Sequence, residues 1–303
     1  MEMIPKEVFK VLREKLGAGF DDFVLEKIVL IAGDTTCENL EIEDSDLRDE
    51  LWREVNIIVN TVATIKFDER YDVALGTNTM GAKNVLHFAK KCLKLQNLVH
   101  VSTGGLFALS QSFFPGIITI YLLLFSAYVC GEKSGLVLEK VFEMGETLNG
   151  TLDLDIEHER KVVRKTLDDL RAQGVTKEFE RTAMKELGLQ RARHYGWPNT
   201  NAFTKAMGEM FIGLLRGDIP VTILCPTIIT NTIREPFPGW AEGISHIDRF
   251  LIGYGKGKLL CILTDPALVL DLIPLDMVAN AMVKGATFLR ISDFGTLFYN
   301  FDF

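Results

Sequence analysis

The sequence predicts an α/β fold in which helices cover both faces of a parallel β-sheet, followed by a smaller, mostly helical part. Two observations predict the sheet. Short apolar runs alternate with helical stretches up to Cys225, and these runs are rich in valine, isoleucine and leucine, as are strands buried on both faces. A third observation predicts the second part, because the regular alternation stops near Pro236. The predicted boundary separates residues 1–235 from residues 236–303.

The predicted elements follow one another as strands and crossover helices do in a parallel sheet. In chain order they are a helix over 4–16, a strand over 27–32 (KIVLIA), an acidic helical stretch over 41–54, a strand over 55–62 (VNIIVNTV), a helix over 72–95, a strand over 98–103 (LVHVST), charged helices over 153–194, a helix over 199–216, a strand over 220–225 (PVTILC) and a last helix over 275–289. The charges between 155 and 186 are expected to face solvent.

Composition limits the class of function. A chain of 303 residues with 48% hydrophobic residues can bury a large core. Its formal net charge of −8 and isoelectric point near 5.3 argue against nucleic-acid binding, which needs clustered basic residues. The five cysteines include no CxxC pair and the histidines no HExxH motif. We therefore predict no metal site, no disulfide framework and a reducing, intracellular compartment.

An uncharged segment interrupts the alternation. No charged residue occurs between Val101 and Gly131, and the centre of the segment is FFPGIITIYLLLFSAYVC. Its hydropathy is that of a membrane-spanning helix, although it is short for one and contains Pro115 and Gly116. Three interpretations stay open: a membrane span, a buried or interfacial segment, and a foreign insertion over residues 104–126, which is the one favoured.

Five motifs carry a resemblance to a known family. They are KFDERYDVALGTNTMGAKNVLHFAKKC (66–92), VHVST (99–103), AYVCGEKSG (127–135), YGWPNTNAFTKAMGE (195–209) and EPFPGWAEGI (235–244). Together they resemble the plant fatty acyl-coenzyme A reductases of the male-sterility type, which are extended short-chain dehydrogenases. The resemblance implies a Rossmann-like domain with a small helical substrate domain. It also implies NADPH-dependent reduction of a long-chain acyl-CoA to a primary alcohol.

The resemblance implies a tyrosine followed four residues later by a lysine. The hydroxyl would protonate the developing oxyanion, and the lysine would favour the tyrosinate form and hold the cofactor ribose. Here the lysine is Lys205, but Asn201 occupies the tyrosine position, and an amide does not exchange a proton at useful pH. Tyr195 lies before Trp197 and Pro198, so we do not expect it to substitute. Low or absent activity is expected.

A second catalytic hydroxyl is implied at Thr103, with Ser102 beside it. In the family the chain passes directly from VHVST to AYVCGE, whereas here residues 104–126 intervene. An intron interrupting the Ala127 codon after its first base would, if read through, encode Gly104 and restore Ala127. This agreement favours a retained intron or a mispredicted gene over a membrane segment.

Cofactor binding is expected to be weakened. The glycine-rich phosphate loop that the resemblance implies would lie upstream of residue 1, and the sequence contains no GxxGxxG motif. Cys225 stands where the resemblance implies arginine. The residues implied to contact NADPH are Gly33, Asp34, Ala63, Thr64, Asn78, Lys205, Pro226, Thr227 and Ile229.

Two functional hypotheses follow. The first is an acyl-CoA reductase with impaired turnover, and the second is a non-catalytic protein that binds acyl-CoA or pairs with an intact relative. The resemblance leaves two compartments open, with association at the endoplasmic reticulum membrane as one and the plastid as the other.

Overall fold

The computed structural model describes residues 6–64, 66–102, 106–114, 117–125, 141–244, 246–260, 262–263, 272–288 and 295–297. Its α-helices are α1 (Lys10–Leu16), α2 (Phe20–Lys27), α3 (Ser45–Glu54), α4 (Tyr71–Ala74), α5 (Gly81–Ala89), α6 (Ile156–Ala172), α7 (Lys177–His194), α8 (Thr200–Leu215), α9 (His246–Gly255) and α10 (Leu275–Phe288). A π-helical segment, Leu75–Met80, joins α4 to α5.

The strands are β1 (Ile57–Asn60), β2 (Asn97–Val101), β3 (Leu106–Phe114), β4 (Ile117–Phe125), β5 (Val221–Leu224), β6 (Ile228–Thr230), β7 (Ile262–Leu263), β8 (Leu272–Pro274) and β9 (Gly295–Leu297). The main sheet has the order β1-β2-β5-β9, and its pairings are parallel. Asn60 pairs with His100, and Val101 pairs with Leu224. The predicted α/β fold with a parallel sheet is confirmed.

Helix caps explain where several helices begin. The side chains of Asp44, Asp155, Thr176 and Asn199 each accept a hydrogen bond from a backbone amide in the first turn of the following helix. Such caps satisfy donors that have no partner within the helix. The predicted helices over 41–54, 153–194, 199–216 and 275–289 are present, with bounds that differ by a few residues.

The predicted strand over 27–32 is wrong. Residues 28–34 have no regular secondary structure, and the side chains of Val29 and Leu30 are 77% and 65% exposed. A buried strand needs a neighbouring strand to pair with its amides and carbonyls. Among the described residues none pairs with this run, so its apolar character alone does not produce a strand.

The uncharged segment forms strands where it is described. β3 and β4 are neighbours in a three-stranded sheet with β7, and β4 pairs with β7 in parallel. The hypothesis of a membrane-spanning helix is therefore wrong for residues 106–114 and 117–125. Within the part of the chain that the structure describes, no helix is long and apolar enough to cross a membrane. A foreign origin of residues 104–126 stays a prediction.

The contact pattern divides the chain into two compact units. One contains residues 1–32, 107–124 and 228–281, and the other contains residues 33–106, 125–227 and 282–303. The second unit holds the main sheet and its largest buried side chains, among them Trp197, Tyr71 and Phe203. In the first unit β6 pairs with β8, and Asp276 accepts hydrogen bonds from three successive amides that begin at Ile233. The domain boundary between 235 and 236 stays a prediction.

Candidate active site at the ends of the parallel strands

Helix α8 brings the motif residues to the carboxyl ends of β2 and β5. Its first thirteen residues, from Thr200 to Ile212, are all buried, although the segment contains asparagine, lysine and glutamate. A polar side chain buried in this way is costly unless it has a hydrogen-bond partner. The contacts of each polar residue on α8 therefore show what the helix is built to hold.

Lys205 is the central charged group of the site. Its side chain is 3% exposed, and its Nζ donates a hydrogen bond to the carbonyl oxygen of Val101 at 3.0 Å, at the end of β2. Burial lowers the pKa of Lys205 to about 8, and the nearby Glu209 carboxylate and Cys225 partly oppose this shift.

Asn201 lies one turn before Lys205 on α8. Its amide Nδ2 donates a short hydrogen bond to the carbonyl oxygen of Thr64. Asn201 is buried, so this hydrogen bond holds its amide group in one position. An amide donates a hydrogen bond here but cannot deliver a proton to an oxyanion. The geometry thus places a hydrogen-bond donor, and not an acid, at this position.

Asn78 fixes the position of Thr64 relative to α8. Its Oδ1 accepts a hydrogen bond from the Thr64 amide at 3.0 Å, and its Nδ2 donates to the Thr204 hydroxyl at 2.9 Å. Asn78 is buried, and both ends of its amide are engaged within the protein. Its direct contact with a cofactor stays a prediction, while its positioning of Thr64 is visible. Ala63 is half-buried beside Thr64.

Of the two predicted hydroxyl residues, only Ser102 lies among the residues that the structure describes. Thr103 lies outside the described residues. Ser102 is buried, and its hydroxyl is near enough to lower the pKa of Glu209, although it does not meet the geometry of a hydrogen bond. A buried hydroxyl without a well-formed hydrogen bond can bind a polar group of a ligand.

The backbone at Gly33 and Asp34 packs closely against the backbone of Leu40. A Cβ atom at Gly33 would lie 2.5 Å from the Leu40 carbonyl oxygen, so no other residue fits there without a shift. The Asp34 amide donates to the same oxygen at 2.8 Å. The exposed Asp34 carboxylate accepts a hydrogen bond from the Thr36 amide at 2.7 Å, which lowers its pKa. The carboxylate remains accessible to a ligand.

Three further predicted residues follow β5. Pro226 and Thr227 belong to the same unit as Lys205, whereas Ile229 lies in β6 of the other unit. Thr227 is 5% exposed, and its hydroxyl has no hydrogen-bond partner among the described residues. It therefore also fits contact with a polar ligand. Cys225 is buried, and its Sγ lies 3.9 Å from Oε1 of Glu209.

Two buried residues of the site were not predicted from the sequence. Glu209 is 1% exposed on α8, and burial raises its pKa to about 7, an effect that Ser102, Lys205 and Cys225 oppose. His100 is buried on β2, its Nδ1 lies 3.1 Å from Nδ2 of Asn60, and burial together with the Lys205 charge lowers its pKa to about 3. The spacing of four residues between Lys205 and Glu209 in TKAMGE was a usable signal for Glu209.

Tyr195 is engaged elsewhere, in agreement with the prediction that it does not replace the missing acid. Its hydroxyl accepts a hydrogen bond from Arg191 at 3.0 Å and lies 3.3 Å from Oε1 of Glu159.

Outside this site, the described residues include one group with the atoms of a metal ligand set, Asp34, Cys37 and Glu41. These side chains are exposed or half-exposed, and exposed acidic groups commonly lie together without an ion.

Comparison with known proteins identifies the family. The model of an NAD-binding family described as "Male sterility protein" matches residues 2–114 and 118–282. An "Alcohol-forming fatty acyl-CoA reductase" of Simmondsia chinensis is 50% identical over 93% of this chain and 52% of its own length. A "Probable fatty acyl-CoA reductase 4" of Arabidopsis thaliana is 49% identical over 94% of this chain and 53% of its own length. The chain spans about half the length of these relatives.

A solved structure supports the fold. The terminal R domain from the myxalamid PKS-NRPS biosynthetic pathway matches 91% of this chain and 50% of its own chain, with a TM-score of 0.53 and 18% identity. At this identity the likeness concerns the fold alone. The family match covers most of the sequence and includes the motifs that build the site on α8. The chain therefore belongs to the male sterility protein family.

Proposed function

We propose that this chain carries the catalytic and cofactor-binding part of an NADPH-dependent fatty acyl-CoA reductase, in which the replacement of the proton donor by Asn201 strongly impairs turnover. The observation that carries the proposal is the buried Lys205, whose Nζ is held at the carboxyl end of β2 one turn after position 201. Ligands of open parallel sheets bind outside the carboxyl ends of the strands. The names of the relatives supply the substrate class, a fatty acyl-CoA reduced to an alcohol.

The residues present fit a polar ligand at this place. The Thr227 hydroxyl is buried and has no hydrogen-bond partner among the described residues, and the buried Ser102 hydroxyl lies near the Glu209 carboxylate. A nicotinamide dinucleotide, when bound, supplies the hydride for carbonyl reduction. Lys205 would hold the cofactor ribose through its ammonium group, and the buried hydroxyls would orient the polar groups of cofactor or substrate. The choice of NADPH over NADH rests on the family resemblance.

The loss of the acid limits what the site does chemically. Hydride addition to a thioester carbonyl leaves a negative charge on oxygen, which must be stabilised and then protonated. The Asn201 amide can donate a hydrogen bond, but in the structure it donates to the Thr64 carbonyl. General acid catalysis commonly contributes about 100- to 10,000-fold in rate, so turnover is expected to fall by a factor of this order.

Replacing Lys205 by methionine should weaken NADPH binding at least about tenfold, because a charge-assisted contact with the cofactor is lost. Binding is measured by titrating the protein with NADPH and following nicotinamide fluorescence. Lys185→Met is the matched control, since Lys185 is on α7 and pairs with the exposed Asp68. Equal binding by the Lys205→Met and Lys185→Met proteins would contradict the proposed role of Lys205. So would a failure of the unaltered chain to bind NADPH.

A second candidate function is acyl-CoA binding without turnover. Asn201 favours it, and so does a cavity of about 780 Å³ between α6 and the π-helical segment. Lys161 and Arg164 line this cavity, and neither has an ion-pair partner among the described residues. Four carboxylates also line it. Asp72 and Glu157 are paired with arginines, whereas Glu38 and Asp168 have no ion-pair partner among the described residues. The unpaired cations suit the phosphates of coenzyme A.

The Arg164→Ala substitution should weaken coenzyme A binding about tenfold, the loss expected for one charge-assisted phosphate contact. Isothermal titration of the chain with coenzyme A measures this directly. Arg181→Ala, which removes an exposed arginine of α7 outside the cavity lining, should leave the affinity unchanged. If both variants lose affinity equally, the attraction is a general charge effect and the cavity is not the binding site.

A further inference from the structure

Lys205 and Glu209 are buried residues of opposite charge that lie one turn apart on α8. Residues four apart on a helix lie one above the other, and these two side chains are 3% and 1% exposed. The reaction proposed above uses Lys205 but assigns nothing to Glu209. A carboxyl group so completely removed from water is costly unless its surroundings compensate. Some interaction with its surroundings must therefore offset the cost of burying the Glu209 carboxyl group.

We propose that Glu209 is a positioning residue, whose buried carboxylate keeps the Lys205 ammonium charged at the end of β2. This inference rests on the proposed function for its relevance to catalysis, whereas the burial of both side chains and their spacing of one helical turn belong to the structure itself. Without a nearby anion, a lysine buried in this way would tend to lose its proton. A neutral amine would lose its attraction for a tyrosinate, an oxyanion or a ribose hydroxyl.

Among the described groups packed around Lys205, Glu209 supplies the negative charge. His100 on β2 is kept neutral by burial, and Ser102, which follows β2, carries no charge. Cys225 follows β5 and contacts Glu209 through its Sγ at 3.9 Å. The interactions that favour the charged form of Lys205 come from Glu209 first and from Cys225 second. Among the described residues, Glu209 is thus the main support of the ammonium charge.

Cys225 affects the pKa values of both Glu209 and Lys205 in this chain. Because the thiol is not a cation, Lys205 is the positive group that lowers the pKa of Glu209, with help from the Ser102 and Cys225 side chains. Burial nevertheless raises the pKa of Glu209 to about 7, while that of Lys205 falls to about 8. Burial thus acts against the charged form of each group, and the charge of the other group favours it.

The test is a direct titration of Lys205 in the folded chain. Protein labelled with carbon-13 at the lysine Cε is titrated by NMR, and the Lys205 resonance is identified as the one missing from a Lys205→Arg protein. In the unaltered chain the midpoint should lie near 8. In Glu209→Gln it should fall by about one pH unit or more, because the anion that favours the ammonium is gone. Glu209→Asp, which keeps a carboxylate, should restore part of the difference.

Glu159→Gln is the matched control, because Glu159 is also fully buried but lies in a different cluster with Arg191. It should leave the Lys205 midpoint unchanged. An unchanged midpoint in Glu209→Gln, or an ordinary lysine midpoint in the unaltered chain, would overturn the inference. If Glu209→Gln does not fold, the comparison of Glu209→Asp with the unaltered chain decides, since a shorter carboxylate should shift the midpoint. NADPH and coenzyme A are absent from this titration, so its failure is distinct from failure of the proposed function.

Discussion

Replacing Glu159 by alanine is expected to lower the free energy of unfolding by about 3 to 5 kcal/mol, the cost of breaking a buried ion pair by removing one partner. Glu159 is 0% exposed on α6. Its carboxylate accepts hydrogen bonds from Tyr71 at 2.7 Å and from Arg191 Nε at 2.9 Å, with a further short contact to Arg191. Its removal would leave an arginine and two tyrosine hydroxyls without their acceptor.

The effect should be large because Glu159 joins three helices. Tyr71 begins α4, and Arg191 and Tyr195 close α7, so the carboxylate ties these elements to α6. Burial and the Glu159 charge raise the pKa of Tyr71 well above its ordinary value, which keeps this tyrosine a hydrogen-bond donor throughout the neutral range. The cluster therefore does not lose its donors through ionisation at moderately alkaline pH.

Urea unfolding followed by circular dichroism measures this loss. Glu157→Ala, two residues earlier on α6, is the control, because Glu157 makes an exposed ion pair with Arg160. Exposed pairs contribute at most about 1 kcal/mol. If Glu159→Ala costs no more than Glu157→Ala, the buried cluster does not stabilise the fold and its bonds are incidental to packing.

The second large effect is expected at Gly208 on α8. An added Cβ atom would lie 2.5 Å from the carbonyl oxygen of Asn78 and 3.3 Å from the Cβ of Ala82. The first of these atoms belongs to the backbone and cannot rotate away. Although alanine is ordinarily favoured over glycine inside a helix by about 1 kcal/mol, Gly208→Ala should lower the free energy of unfolding by about 1 to 3 kcal/mol through overpacking.

Gly76→Ala supplies the matched control. Gly76 is also helical, and its added Cβ would meet a single side-chain atom, of Thr36, at 4.0 Å, which is ordinary contact. This variant should be neutral or more stable by up to about 1 kcal/mol. Equal stability of the two variants would show that α8 can move away from the helix it contacts. Because Lys205 is on α8, only Gly208→Ala should also weaken NADPH binding.

Much of the main sheet could be predicted from the sequence because burial on both faces produces an apolar run. β2 and β5 are such runs, and α8 is marked by its cap at Asn199 and its motif. The run over 27–32 shows the limit of this inference, because a strand exists only where another pairs with it. Its pattern carries no information about that partner.

The candidate site was predictable to the extent that its motif is contiguous. Asn201 and Lys205 lie on one helix, and their spacing places them on the same face. The role of Asn78 depends on contacts with Thr64 and with Thr204, which are distant in the sequence. Glu159 shows the same limit more strongly, because its charge suggested a solvated helix face between 155 and 186. In the structure an arginine 32 positions later completes its pair. Single-sequence periodicity does not report such partners.

The order of the strands has a consequence for the synthesis of this chain. β2 lies between β1 and β5 in the sheet, but β5 begins 120 positions after β2 ends, at Val221 against Val101. At about 5 to 20 residues per second, a ribosome needs roughly 6 to 24 seconds to make the intervening chain. During that interval the nascent protein presents one open edge of β2, with apolar side chains on both faces. Unpaired edges of this kind associate with other chains. Chaperone supply during translation, rather than the stability of the finished fold, is therefore expected to govern how much soluble protein a cell obtains.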